Sequence, residues 1–307
     1  MEKNIYDLII IGSGPAGLAA SIYASRYKID HLAIGKEPGG QANEAHQIEN
    51  WPGTLSISGF ELLRKMREHA EKLGAKILMD SVSNVMREGD VFKTTTHTAQ
   101  YESKHIILAV GMEYKKLQIP GEVEFKGKGV SYCPTCDASF FKDKTVAVVG
   151  GGNSAGSAAL LLAEYANKVY VVYRGDKLKV DPAYQEKISR NEKIEVVYNT
   201  NIKEIRGDRA VEKIVLDRSW QDKSELEVQG VFIEIGSEPG VELTKQLGVE
   251  TDEQGFIKVN PDQSTNISCV YAAGDATTGS NKMRQILTAA AEGAVAASSI
   301  YKKLQTE

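Results

Sequence analysis

The 307-residue chain is 42% hydrophobic and 25% charged, which fits a soluble globular protein of about two domains. Its formal net charge of −4, with Lys and Arg scattered, offers no basic surface to nucleic acid, and no apolar run approaches the ~20 residues of a membrane helix. Its 28 Gly beside 8 Pro exclude collagen and low-complexity disorder and point to tight backbone turns, while 3 Cys are too few for a disulfide scaffold.

Residues 6–11 form a short, β-branched apolar run that reads as a strand buried on both faces. The apolar part, residues 8–11, is too short for the core of a secretory signal, so a cytoplasmic protein is expected. Gly12-Ser13-Gly14-Pro15-Ala16-Gly17 follows, then an Ala-rich helix to about residue 27 and a second strand at 31–34. An amphipathic helix is predicted at 59–73, where Phe60, Leu63, Met66, Arg67 and Ala70 recur at helical spacing. Strands are predicted at 76–79, 91–96 and 105–110. The opening syntax then returns as a strand at 145–149, the turn Gly150-Gly151-Gly152-Asn153-Ser154-Ala155, a helix at 156–165 and a strand at 168–173. Further strands at 195–198, 213–216 and 230–235 lead to a last one at 269–272, which runs into Gly274-Asp275. An Ala-rich helix from about Arg284 closes the chain, and the class is α/β.

A Gly-x-Gly-x-x-Gly turn between a buried strand and a helix has a mechanical meaning. The first Gly makes the tight turn, the second lets backbone approach a pyrophosphate, and the third lets helix pack on strand. The phosphates then lie at a helix N-terminus, where free N–H groups and the dipole favour negative charge. One match is weak. Two, each between strand and helix, predict two dinucleotide sites. After the first unit Glu37 stands where an acid would hold a ribose diol, or is a solvated loop charge. The second unit ends its strand in Tyr173-Arg174, and a cation there suits a 2′-phosphate. Lys177 and Lys179 add positive charge, and all three cations also read as solvated loop residues.

Cys133-Pro134-Thr135-Cys136-Asp137 precedes the second unit. Cys-x-x-Cys spacing allows a small reducible disulfide ring, and a thiolate at a helix start is favoured. Half a zinc site is the competing reading. Tetrahedral zinc needs four ligands, yet only Cys269 remains, and His31, His46, His69, His97 and His105 all precede the pair without ligand-like spacing. No metal is expected. Asp137 is a candidate to give or take a proton during exchange, or an ordinary N-cap. Cys269, within the apolar run 267–272, reads as a buried structural thiol.

In this order the motifs resemble the low-molecular-weight thioredoxin reductases, two-domain flavoprotein disulfide reductases, over essentially the whole chain. The likeness rests on residues 12–17, Gly39-Gly40-Gln41, Glu49-Asn50-Trp51-Pro52-Gly53 and Ile119-Pro120-Gly121-Glu122. It continues through residues 133–137 and 150–155, Gly274-Asp275, Arg284-Gln285 and residues 288–293. Relatives with a Cys-x4-Cys pair carry it early in the first domain, whereas here the pair precedes the second turn. The resemblance implies two Rossmann-like, three-layer domains, the second inserted in the first. Residues 1–115 and 246–307 would bind FAD, and residues 116–245 would bind the pyridine nucleotide and carry the Cys pair.

The resemblance also implies site residues. The FAD pyrophosphate would lie on Gly12, Ser13, Gly14, Pro15, Ala16 and Gly17, with Gly40, Gln41, Asn50 and Gly111 along the flavin. Asp275, after Gly274, would hold the ribityl or pyrophosphate segment, and Arg284, Gln285 and Ile286 would meet the isoalloxazine. The last helix would aim its N-terminus at the flavin pyrimidine. NAD(P)H would lie on Gly150, Gly152, Asn153, Ser154 and Ala155, with Arg174 and Lys179 near its 2′ position. The implied reaction is a relay from NADPH or NADH through FAD to the Cys133–Cys136 disulfide and on to a thioredoxin. Cys136 would face the flavin, Cys133 would attack the external disulfide, and Asp137 would protonate the leaving thiolate. One domain carries both the pair and the nicotinamide, so the family rotates that domain, and hinges are expected near residues 116 and 245. A homodimer is expected.

Several residues depart from the pattern. NADPH-preferring members carry two adjacent Arg and a third a few residues on; here Arg174 is kept, but Gly175 and Lys179 fill the other places. Lys is a point charge where Arg offers a planar fork, so NADP preference is expected to be weakened. Val110, Ala138 and Ala291 replace a Thr and two Gly without removing a reacting group. The rivals are a ferredoxin-dependent reductase, a flavin dithiol oxidase and a non-catalytic flavin-binding redox sensor. The intact second turn and Asp137 favour the NAD(P)H-dependent reductase.

Overall fold

In the computed structural model, which describes residues 5–45, 48–240 and 242–306, the chain divides into two compact units. One runs to Glu113 and resumes at Glu238; the other is Tyr114–Ser237. The second crossing therefore comes before the expected 245/246. Helix Glu242–Gln246 stays with the first unit because Gln246 clamps the strand Val82–Glu88, accepting the Val85 N–H at 3.0 Å and donating to the Ser83 carbonyl at 3.3 Å. Strands Met112–Tyr114 and Ser237–Pro239 pair at the crossings.

The first unit is built on parallel strands ordered Lys76–Met79, His31–Gly35, Ile5–Ile11 and Gln100–Leu108, with Val270–Ala272 beside the last. Burial on both faces explains the unbroken apolar opening run. Leu8 and Ile10 meet helices Pro15–Arg26 and Ile286–Leu304, while Ile9 and Ile11 face a second core with Phe92 and Ile257. Each such fully buried side chain contributes roughly 1.5–3 kcal/mol. The two helices approach closely through Ala16, Ala20, Ala289 and Ala296, and Tyr27 stacks on Tyr301 with centroids 4.5 Å apart.

The second unit repeats this plan. Its parallel sheet has the order Ile194–Val197, Lys168–Val172, Thr145–Val149, Gly230–Ile233 and Val130–Ser131. Val146 and Val148 face helix Asn153–Tyr165, whereas Ala147 and Val149 face an antiparallel sheet of Ile202–Gly207, Val211–Trp220 and Lys223–Glu227. That makes three layers: helices, parallel sheet, antiparallel sheet.

Some expectations need correction. Helix Gly59–Lys72 buries Leu62, Leu63, Met66 and Ala70, while Phe60 is 61% exposed. The helix starts at Gly59 behind the Ser58 cap, so Phe60 sits in its first turn, off the packed face. Helix Asn153–Tyr165 begins three residues before the expected 156, and the last helix, Ile286–Leu304, begins after Arg284. Strand Val82–Glu88, helix Pro182–Ser189 and two strands of the antiparallel sheet lay outside the predicted elements.

Candidate active site

Each glycine turn sits at the C-terminal end of its parallel sheet. Gly12 has φ +121°, and a Cβ there would lie 2.0 Å from the Ala109 carbonyl oxygen; at Gly150, φ +146°, it would lie 2.2 Å from that of Glu234. No L side chain fits either place. Gly14 and Gly152 cap the following helices, and a Cβ at Gly152 would meet no protein atom within 4 Å. Pro15 and Asn153 open the helices, and Pro15 loses nothing there because a first-turn N–H has no helical partner. Both turns present open backbone at a helix N-terminus, the cradle a diphosphate requires.

Around the first turn the fold gathers residues from distant parts of the chain. A Cβ at Gly40 would meet the Gly14 Cα at 3.5 Å, and one at Gly274 would meet the Ala16 Cβ at 3.0 Å. Asn50 Nδ2 donates to Gln285 Oε1 at 2.8 Å. Gln285 caps the last helix in a capping box with Thr288, and Ile286 is its first residue. Gly111 stands at φ +64°, its carbonyl accepting from Gly240 N–H at 3.2 Å. Ser13 gives its hydroxyl proton to the Glu37 carbonyl at 2.8 Å, and the Glu37 side chain is exposed. A cavity bounded by Ser13, Pro38, Gly39, Leu63, Arg67 and Met79 adjoins this turn.

Two groups here await a ligand in different ways, one unpartnered and one half-buried. Gln41 Nε2 has no hydrogen bond. The Asp275 carboxyl is pushed up to about 6 by burial, with Arg284 pulling it down and Glu292 pushing it further up. A bound molecule carrying hydroxyl and carbonyl groups satisfies both, so these residues fit FAD. Glu292 escaped the sequence reading as a functional group. Its buried carboxylate accepts Gly274 N–H at 2.8 Å and the Thr277 hydroxyl at 3.0 Å, tying the last helix to the Gly274 turn. An acid within an otherwise small, apolar helix face was the available signal.

Around the second turn, Lys179 N–H donates to the Gly151 carbonyl at 2.6 Å, and Asn153 exchanges two bonds with Asp181 at 2.7 and 3.0 Å. Ser154 is exposed in the first helical turn and Ala155 is buried behind it. Arg174, Lys177 and Lys179 are exposed, and their side chains have no ion pair among the described residues. These donors fit a nucleotide diphosphate and leave cations free for further negative charge.

Cys133 and Cys136 form a disulfide with Cα atoms 5.3 Å apart at the start of the short helix Pro134–Asp137. The Cys136 N–H points at Cys133 Sγ, 3.2 Å away, so an amide stands ready for negative charge on that sulfur. Asp137 stands at the N-cap position of the short 3-10 turn Ala138–Phe141, but its side chain makes no capping hydrogen bond. It accepts the Ser131 hydroxyl at 2.6 Å instead. Cys269 differs from expectation: it is half-buried at φ +68°, and Lys303 Nζ donates to its sulfur at 3.0 Å. Among the described residues, no three His, Cys, Asp or Glu side chains gather as a metal site. His46, one of the His weighed for zinc, lies outside the described residues.

The family described as pyridine nucleotide-disulphide oxidoreductase matches residues 6–293, and the chain belongs to it. The thioredoxin reductase of Bacillus subtilis (strain 168) is 41% identical over 303 residues, covering 97% of this chain and 95% of that one. The crystal structure of Lactococcus lactis thioredoxin reductase (FR conformation) superposes with a TM-score of 0.87 at 37% identity, over 98% of this chain and 100% of that one. A ferredoxin-flavin thioredoxin reductase from Clostridium acetobutylicum matches with a TM-score of 0.54 at 38% identity, over 98% and 99%.

Proposed function

We propose that this chain is a thioredoxin reductase, which uses NADPH or NADH through FAD to reduce its own Cys133–Cys136 disulfide and passes the electrons on to thioredoxin. The observation that carries this reading is the Cys-x-x-Cys disulfide flanked by a hydrogen-bonded Asp137, in a chain with two open glycine turns. The unit ending at Glu113 and resuming at Glu238 would hold FAD on residues 12–17, Gly40, Gln41, Asn50, Gly111 and Asp275. The unit Tyr114–Ser237 would hold the pyridine nucleotide on residues 150–155, with Arg174 and Lys179 toward its 2′ end.

When bound, FAD accepts hydride from the nicotinamide and delivers two electrons to a disulfide. The chain's own residues do the rest. The Cys136 N–H favours a thiolate on Cys133, which suits that sulfur to attack an external disulfide. Asp137 stands beside it to protonate the sulfur that leaves. The paired strands at the crossings are where a rotation of one unit would be absorbed. No helix is long and apolar enough to cross a membrane among the described residues. Following the resemblance, we take the enzyme to be a cytoplasmic homodimer.

A second reading has its own support. Gly175 and Lys179 stand where NADPH-preferring members have Arg, and a ferredoxin-flavin reductase is among the structural relatives. Anaerobic mixing with NADPH, NADH and reduced ferredoxin in turn, watching the flavin bleach, separates the readings. Bleaching by a nicotinamide is expected, and bleaching by ferredoxin alone would replace the first reading with the second. In Cys136→Ser, bleaching should persist while thioredoxin reduction disappears. A colourless protein that stays apo when FAD is supplied would overturn both.

A further inference from the structure

Ser131 is a buried polar residue two positions before the disulfide, 6% exposed. It ends the short strand Val130–Ser131, held in parallel register on Gly230–Ile233 through Val130 opposite Val231 and Ser131 opposite Phe232. The sheet fixes its backbone and its neighbours fix its hydroxyl. Oγ accepts the Cys133 N–H at 3.0 Å and donates to Asp137 Oδ2 at 2.6 Å. A serine hydroxyl has one proton, so with a lone pair turned to the amide the proton is committed to the carboxylate.

The loop around it is anchored on both sides. Tyr132 gives its phenol proton to Glu122 at 2.6 Å, and that carboxylate also accepts the Leu117 and Gln118 amides at 2.9 and 2.7 Å. Past Asp137, Ala138 is buried and Phe141 packs edge-on against Phe232, the residue opposite Ser131 in the sheet. Among the described residues, the Asp137 side chain bonds to Ser131 and to no other group.

We propose that Ser131 is a positioning residue for disulfide exchange, holding the Asp137 carboxyl in place so that its transferable proton sits on Oδ1. This rests on the thioredoxin reductase reading. In the exchange, the Cys133 thiolate forms a bond to one sulfur of the substrate disulfide and the substrate S–S bond breaks. The departing sulfur keeps the electron pair and takes the Asp137 proton. Cys136 then closes on Cys133, and its thiol proton goes to the second substrate sulfur. The enzyme is oxidised by two electrons, the substrate gains them as a dithiol, and Asp137 is left as a carboxylate that the Ser131 O–H stabilises.

The test uses the holoenzyme with thioredoxin, in the wild type, Ser131→Ala, Asp137→Asn and the double variant. Ser131→Ala should slow thioredoxin reduction about 10-fold or more, within what a positioned acid is worth. KM for thioredoxin and the rate of flavin bleaching by the nucleotide should not move. Ser131→Thr should restore the rate, while Ser131→Val, of the same shape, should not. With Asn at 137, Ser131→Ala should cost nothing further. An equal loss in the wild-type and Asp137→Asn backgrounds would overturn the proposal, as would full activity in both Ser131→Ala and Ser131→Val. Should Ser131→Ala fail to fold, the Thr and Val pair decides alone. A wild-type enzyme that bleaches but never reduces thioredoxin sinks the functional reading itself, a result distinct from either.

Discussion

Gly12 and Gly150 occupy the same point in their two sheets: Ile11 pairs with Ile34 before one, and Val149 with Val172 before the other. Both glycines clear a strand carbonyl that no side chain could clear. The frames then diverge. A Cβ at Gly17 would lie 1.9 Å from the Gly12 carbonyl oxygen, whereas the corresponding Ala155 carries its methyl in the core. Bulk has also changed sides. In the first unit Ser13 fills the space over Gly35; in the second, Gly151 makes room for the Tyr173 ring, whose atoms a Cβ would meet at 2.4 Å. The first turn is backed by the last helix, where a Cβ at Gly293 would lie 2.0 Å from the Ala16 carbonyl oxygen. After the second strand, Lys36-Glu37 stands in one unit and Arg174-Gly175 in the other. The diphosphate cradle is thus a property of backbone geometry, repeated wherever that geometry recurs, while ligand choice lies in residues the geometry leaves free.

That comparison breaks most sharply at its shared glycines. Gly12→Ala should yield a colourless protein, and Gly150→Ala a yellow one whose flavin no nicotinamide bleaches; absorbance and anaerobic mixing read both. A Gly150→Ala protein that bleaches normally would show that the second turn holds no donor. The next largest effect belongs to the first unit alone. A carboxyl with a raised native pKa binds more protons folded than unfolded between the two values, so stability falls as pH rises through that window. For Asp275 the window runs from about 4 to about 6, and the loss in the FAD-free protein is on the order of 2 kcal/mol after allowance for partial exposure. Urea unfolding of that protein against pH should show the fall, and Asp275→Asn should abolish it. The smallest effect concerns the second unit's free cations. Arg174→Ala should raise KM for NADPH about 10-fold and leave NADH unchanged; equal changes for both would mean that Arg174 does not face the 2′-phosphate.

Local pattern carried much of the fold. The strands Lys76–Met79, Val91–Thr96 and Thr145–Val149 lie where the sequence pattern puts them: Val91–Thr96 buries alternate residues, and Thr145–Val149 is buried from its second residue onward because both its faces are covered. Val82–Glu88 did not announce itself: only Val85 in it is buried, and the rest pairs antiparallel at an edge among polar residues. Lys223–Glu227 escaped for the same reason, with only Leu226 buried. Cys269 misled because an apolar neighbourhood in sequence does not reveal Lys303, 34 residues away, reaching its sulfur.

The sequence by itself determined the two glycine turns, the redox pair and the α/β repeat, since each depends on residues within one strand–turn–helix stretch. Tertiary structure alone decided which carboxylate ties the last helix to Gly274, that Asn50 meets Gln285 across 235 residues, and that Tyr173 sits over Gly151. It also decided that Asp137 turns to Ser131 rather than to a helix end. Such pairings are made by packing between elements, and a hydrogen bond with a 3 Å reach leaves no trace in the spacing of residues that the chain brings together only by folding.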